Sequence, residues 1–263
     1  MLQVINPSIV GLAVAVAVFA GIIACLQAGR RIGARAIGKR GAGSMPSTES
    51  LETAIFALLG LLIAFTFSGA LTRFDVRRTQ AVDEANAIGT AYLRVDLLPE
   101  SAQPRVRELL RQYVDARIET YSKLPDLEAA RDALARSQSL QTDLWAQAVA
   151  GGRLPTSGPE TKTVVLPALN EMFDLATTRL AATQMHPPLV IYAMLIGLAL
   201  AAALLAGYRS AADRAPSRLH EIGFGAIVAC TVYVILDMEY PRLGFIRIDA
   251  IDQLLINARA AMT

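Results

Sequence analysis

The chain has 263 residues, 54% of them hydrophobic, a formal net charge of +2 and a mean hydropathy of +0.41. A soluble domain of this length spreads its apolar residues amphipathically; here they concentrate in four blocks, which points to an integral membrane protein. An isoelectric point near 8.6, with arginines beside the apolar runs, suits anionic lipid headgroups and argues against nucleic acid as a partner.

The first block, residues 8–26, reads as a membrane span and not as a signal peptide. No basic side chain precedes it, no small-x-small cleavage site follows it, and its basic cluster comes afterwards. Gly11, Ala13, Ala17 and Gly21 give it small faces for close helix packing. Residues 29–50 hold Arg30, Arg31, Arg35, Lys39 and Arg40 among glycines and serines, and read as a solvated basic loop. Their glycines follow no strand and lack the spacing of a phosphate-binding loop. Cys25 and Cys230 both lie within apolar runs and read as small buried hydrophobes.

The second block, residues 53–71, is uncharged and as long as the roughly 20 residues that a span needs. Nothing stops the helix at the membrane edge. Ala81, Ala85, Ile88, Tyr92 and Val95 carry an apolar stripe onward past Arg73, Arg77 and Arg78, and Pro99 is the first clear terminator. One long helix is therefore expected, half in lipid and half outside it.

Residues 97–187 read as soluble helices with no strand alternation. Val106, Leu109, Leu110, Tyr113, Val114 and Ile118 share one side of the first, and Asp126 is placed to cap a second that Gly151 and Gly152 close. A third runs to about residue 185, with Pro167 as the expected site of a kink. The third and fourth apolar blocks are residues 189–208 and 222–238, with Arg209, Arg214 and Arg218 between them. The tail, residues 239–263, is amphipathic, with Ile251, Leu254, Leu255 and Ala258 on one face. The division expected is a first span pair within residues 1–71, a helical extramembrane segment at 72–188, a second span pair at 189–238, and the tail.

The fold class is thus all-α: four transmembrane helices, with a helical extramembrane bundle inserted between the second and third. Four spans put both termini and the bundle on one side of the membrane. The density of basic residues in the two connecting loops favours cytoplasmic loops.

Catalytic motifs are missing. His186 and His220 enter no metal-binding spacing, and no nucleophile elbow or kinase motif occurs, so no enzyme, cofactor or metal is expected. The carboxylate pairs Asp83–Glu84 and Asp237/Glu239 read as edge charges paired with Arg77, Arg78 or Arg242. Phe65, Thr66, Phe67, Ser68 and Gly69 mix hydroxyls and aromatics within a span. They fit helix packing with hydroxyls bonded back to the helix, or a pore-lining strip with Arg73, Arg77 and Arg78 attracting anions at its mouth.

Phe65, Ser68, Ala70, Arg73, Phe74, Asp75, Arg77 and Arg78 resemble the signature that closes the second membrane helix of bacterial bestrophins. Ser68 stands where bestrophins carry Asn, Leu71 where they carry Tyr, and Phe74–Asp75 where they carry paired Trp. The chain is more similar to the bestrophin-like domain family, in which helices resembling LLGLLIAFTFSGALTRFD and EANAIGTAYLRVDLLP precede a closing motif like ILDMEYPRLGFIRI. That closing motif holds Asp237, Glu239, Pro241 and Gly244. The resemblance implies a homo-oligomeric, multi-pass ion channel of a bacterial inner membrane, with membrane lipids around it and small inorganic anions passing through it. It also implies termini and bundle in the cytoplasm, opposite to the charge count. The alternative is a membrane-anchored scaffold or sensor whose helical segment binds a partner.

Overall fold

The computed structural model describes residues 7–40, 49–212, 218–242 and 244–262. Among them are eight α-helices and no strand: α1 (Pro7–Arg40), α2 (Glu49–Arg94), α3 (Gln103–Ser122), α4 (Leu127–Gly152), α5 (Leu166–Gln184), α6 (Leu189–Ser210), α7 (Arg218–Glu239) and α8 (Asp249–Ala260). Among the described residues, four helical stretches are long and apolar enough to cross a membrane. The expected all-α, four-span architecture with an inserted helical bundle is what the chain adopts.

The helices form two compact units, Met1–Thr72 with His186–Tyr240, and Arg73–Met185 with Pro241–Thr263. In the first, α1 packs against α6 and α7. Its core is made largely of small side chains, Ala15, Ala199, Ala202, Ala203 and Ala229, around Val18, Ile22, Leu26, Val228 and Val232. The closest approach lies further along α1 than the small faces expected. A Cβ on Gly29 would stand 2.0 Å from the Leu204 carbonyl oxygen, one on Gly33 2.4 Å from that of Tyr208, and one on Gly207 2.1 Å from that of Leu26. Only glycine lets the two backbones meet there. Gly21, by contrast, faces the end of the Leu200 side chain, and Gly11 faces Leu236 and Tyr233.

This contact explains why α1 overruns its expected end. The basic stretch read as a loop continues as helix to Arg40, because Ala and Arg are strong helix formers. The tertiary contact at Gly29 and Gly33 offsets the roughly 1 kcal/mol that a glycine costs in a helix. Arg30 donates to Ser210 Oγ at 3.4 Å and forms an ion pair with Glu221, so it is not a freely solvated loop charge. The remainder of that loop, residues 41–48, and Arg214 lie outside the described residues.

The second unit comprises α2 from Arg73, then α3, α4, α5 and α8. α3 and α4 pair as a hairpin, and Asp126 caps α4 as expected, its side chain accepting from the backbone N–H of Glu128 and Ala129. The core joins Ile88 and Val95 to Leu109, Leu110, Tyr113, Leu144, Leu169 and Met172. Leu255 and Met262 of the tail belong to the same cluster, so α8 lies on α3 with Leu255 buried, Ile251 and Ala258 half-buried and Leu254 left exposed. Where a kink was expected at Pro167, a π-helical turn (Thr161–Val165) precedes α5, and the proline falls in the first turn of α5. The proline's missing N–H thus falls where the wider turn passes into regular α-helix.

Candidate functional site

α2 has 46 residues, about 70 Å of helix against about 30 Å of hydrocarbon. A 3₁₀ turn at Val95–Leu97 ends it just before Pro99. Within its apolar half, Ile55, Leu59, Leu62, Thr66 and Ala70 are buried or half-buried at helical spacing. About a third of a turn round the helix, Ala54, Leu58, Leu61, Phe65, Ser68 and Thr72 form an exposed stripe, with Phe65 67% accessible.

The five candidate strip residues therefore separate. Phe65 and Ser68 share the exposed stripe, Phe67 is exposed on the other flank of the helix, Gly69 is half-buried, and Thr66 is 9% accessible on the packed side. The Thr66 hydroxyl donates to the carbonyls of Leu62 at 2.8 Å and Ile63 at 3.0 Å, which is the helix-packing geometry.

The three arginines also separate. Arg77 is only 4% accessible and donates from Nε to the Ala182 carbonyl at 3.1 Å and from Nη2 to that of Met185 at 3.0 Å. These are carbonyls at the C-terminus of α5, where helices leave acceptors unpaired and carry partial negative charge. Arg77 is thus a helix cap. Arg78 is exposed, 3.4 Å from Asp75 and over the Phe74 ring, and Arg73 is half-buried.

The carboxylates pair differently from expectation. Glu84, fully buried, does not pair with Arg77 or Arg78. Its Oε1 accepts from Arg117 Nε and its Oε2 from Arg179 Nη1, both at 2.6 Å. Arg179 continues to Asp252 at 2.7 Å, and Arg242 grips Asp252 with two further bonds. The Tyr121 ring lies beneath three guanidinium groups, with Arg179 at 3.8 Å, Arg242 at 4.4 Å and Arg117 at 5.1 Å from its centre. Burial first, then the Glu84 charge, push the Tyr121 hydroxyl up, so it stays protonated. Burial raises Asp252, but the bonds and charges of Arg242 and then Arg179 outweigh it and hold the carboxyl below its ordinary value of 3.8.

In the closing motif, Asp237 accepts from the Tyr233 hydroxyl at 3.2 Å, and Glu239 meets His186 Nδ1 at 3.4 Å. Arg242, expected to pair with one of them, is bound to Asp252. Pro241 is buried and Gly244 half-buried. Among the described residues no cluster of His, Cys, Asp or Glu is arranged to hold a metal.

Residues 48–251 match the family model of the Bestrophin-like domain. No curated protein matches the chain. Among solved structures, a single-site variant of a bacterial bestrophin homologue from Klebsiella pneumoniae superposes with a TM-score of 0.63 at 11% identity, covering 91% of this chain and 98% of its own. A second variant of that homologue gives 0.64 at 11%, covering 95% and 98%. A variant of a protein described only as a membrane protein gives 0.62 at 13%, covering 97% and 99%. Identities this low establish a shared fold and no more. The family match is stronger evidence, because it runs from the start of α2 into α8 and takes in the exposed stripe, Glu84 with its buried arginines and the closing motif together. This chain belongs to the Bestrophin-like domain family.

Proposed function

We propose that the chain assembles into an oligomeric channel for small inorganic ions in a bacterial inner membrane, with the exposed face of α2 lining the path. The observation that carries this reading is the exposed stripe of Leu58, Leu61, Phe65, Ser68 and Thr72 on a span packed along only a narrow side. A ring of such faces gives an apolar constriction at Phe65 with hydroxyls beside it, a recurrent way of gating ion passage. The likeness to bacterial bestrophin homologues supports it at the level of fold.

Two selectivities remain, and each has an observation behind it. Exposed Arg78 and half-buried Arg73 support anions, the expectation from the sequence. Against them, Asp75 lies exposed and Asp83 half-buried on the second half of α2, while Arg77 is withdrawn into the end of α5, which supports cations.

Flux from liposomes bearing the purified protein tests the channel itself. Ion flux above that of empty vesicles, increased by Phe65→Ala, is the expected result. No flux at a protein density that gives intact oligomers would return the chain to a membrane-anchored scaffold. Reversal potentials in planar bilayers under a salt gradient decide selectivity. If anions pass, Arg78→Gln reduces their preference and Asp83→Asn does not; if cations pass, the two variants exchange roles.

A further inference from the structure

Within the second unit, the end of α3, the segment between α7 and α8, and α8 itself border a cavity of about 260 Å³. That is below the roughly 300–1,000 Å³ of drug-sized ligand sites, which limits an occupant to a smaller molecule. Its apolar lining is Ile118, Leu124, Leu255 and Ile256. Its charged lining includes Arg242 and Asp252, beside the Tyr121 ring.

The charges around this cavity do not balance. Arg117, Arg179 and Arg242 share two carboxylates, Glu84 and Asp252, so among the described side chains the network carries a positive excess. Arg247 lines the same cavity, and the excess does not depend on it. A charge held largely out of water is costly until an opposite one joins it. Of the three arginines in the network, only Arg242 lines the cavity. Its side chain is 10% accessible, and its guanidinium lies over Tyr121 at 4.4 Å. Both Nη atoms donate to Asp252, one to each carboxylate oxygen. A guanidinium has five N–H donors, and those of Arg242 not turned to Asp252 have no partner among the described residues. Asp252 does not turn an anion away, since its charge is divided between Arg179 and Arg242. An excess of one charge matches a monoanion. The planar fork of Arg242 suits a carboxylate, and the four aliphatic side chains favour a hydrocarbon body over a strongly hydrated inorganic ion.

We propose that this cavity binds a small monocarboxylate with a short alkyl body, its carboxylate at Arg242 and its hydrocarbon against Leu124, Leu255 and Ile256. The site lies outside the spans and stands or falls without the channel reading. Its walls come from α3 and α8, so an occupant fastens the tail helix to the bundle. The test uses the full-length protein in nanodiscs and radiolabelled isovalerate in equilibrium dialysis. Saturable binding is expected. Isovaleramide, the neutral analogue of the same shape, should compete at least roughly tenfold less well, and isopentylamine should not compete. Hydrogen exchange in α8 and at the end of α3 should slow when isovalerate is added. Arg242→Gln should weaken binding by roughly tenfold or more. Ile256→Trp, at a position 43% accessible, enlarges the wall without touching the arginine network and should abolish binding. Equal competition by isovaleramide, or by chloride at the same concentration, would overturn the proposal. So would an absence of saturable binding, or binding that leaves α8 exchange unchanged. The ranking of competitors and the Ile256→Trp variant decide the matter even if Arg242→Gln fails to fold.

Discussion

Glu84 is fully buried, and its two oxygens are each matched to a guanidinium from a different helix. Removing one partner from such a set leaves uncompensated buried charge, which costs about 3–5 kcal/mol. Glu84→Gln is therefore expected to lower the stability of the helical unit by that order, read by denaturation through the fluorescence of Trp145, the single tryptophan. Asp252 supplies a pH dependence. Its folded pKa lies below the ordinary 3.8, so its contribution is present in full above that pH and is lost as pH falls through the folded value. Hydrogen-exchange protection factors in α8 should fall as pH drops below 3.8, and Asp252→Asn should remove that pH dependence. This network was only half legible in the sequence. Glu84 falls beside the apolar stripe of Ala81, Ala85 and Ile88, and Arg117 lies one turn beyond Tyr113; a charge on a packed face is the signal of a buried pair. The partners themselves could not be read, because Arg117 is 33 and Arg179 is 95 positions from Glu84.

At the scale of elements, helix ends and crossings carry the testable detail. Asp126 accepts from two backbone N–H groups that would otherwise lack partners, so Asp126→Ala should cost about 1 kcal/mol. The α1–α6 crossing is stricter. Gly29→Ala drives a methyl into the Leu204 carbonyl, and no side-chain movement relieves a clash with backbone. At Gly38, with nothing within 4 Å of an added methyl, the same substitution favours helix by up to about 1 kcal/mol. Thermal melting in mild detergent should show Gly29→Ala strongly destabilised and Gly38→Ala equal to or above the parent. Equal melting of the two variants would remove the close backbone contact from the account.

For the whole molecule, the exposed stripe of α2 predicts assembly. Large apolar side chains on a face that also carries Ser68 and Thr72 suit a shared interior better than lipid alone. Light scattering in mild detergent should give an oligomer at micromolar protein; a monomer would count against both the assembly and the channel. Four spans also fix parity across the membrane. With Cys25 and Cys230 replaced by serine, Lys123→Cys and Ala212→Cys should label from opposite sides. Which of them faces the cytoplasm decides between the loop-charge count and the family resemblance.

The sequence by itself determined what depends on neighbouring residues. Apolar runs long enough for hydrocarbon, an unbroken stripe from Ala81 to Val95, Pro99 as a stop and Asp126 as a cap are all short-range facts. Each is written within a few turns of chain. Tertiary structure decided what depends on partners far away. It carried α1 through a basic, glycine-containing stretch, because Gly29 and Gly33 meet the α6 backbone there. It drew Arg77 from a supposed mouth to the end of α5, since the nearest unpaired carbonyls lie more than a hundred positions away. It matched Glu84 and Asp252 to arginines from α3, α5 and the turn that follows α7. A buried charge must find an opposite one wherever the fold brings it, and pattern along the chain does not encode that distance.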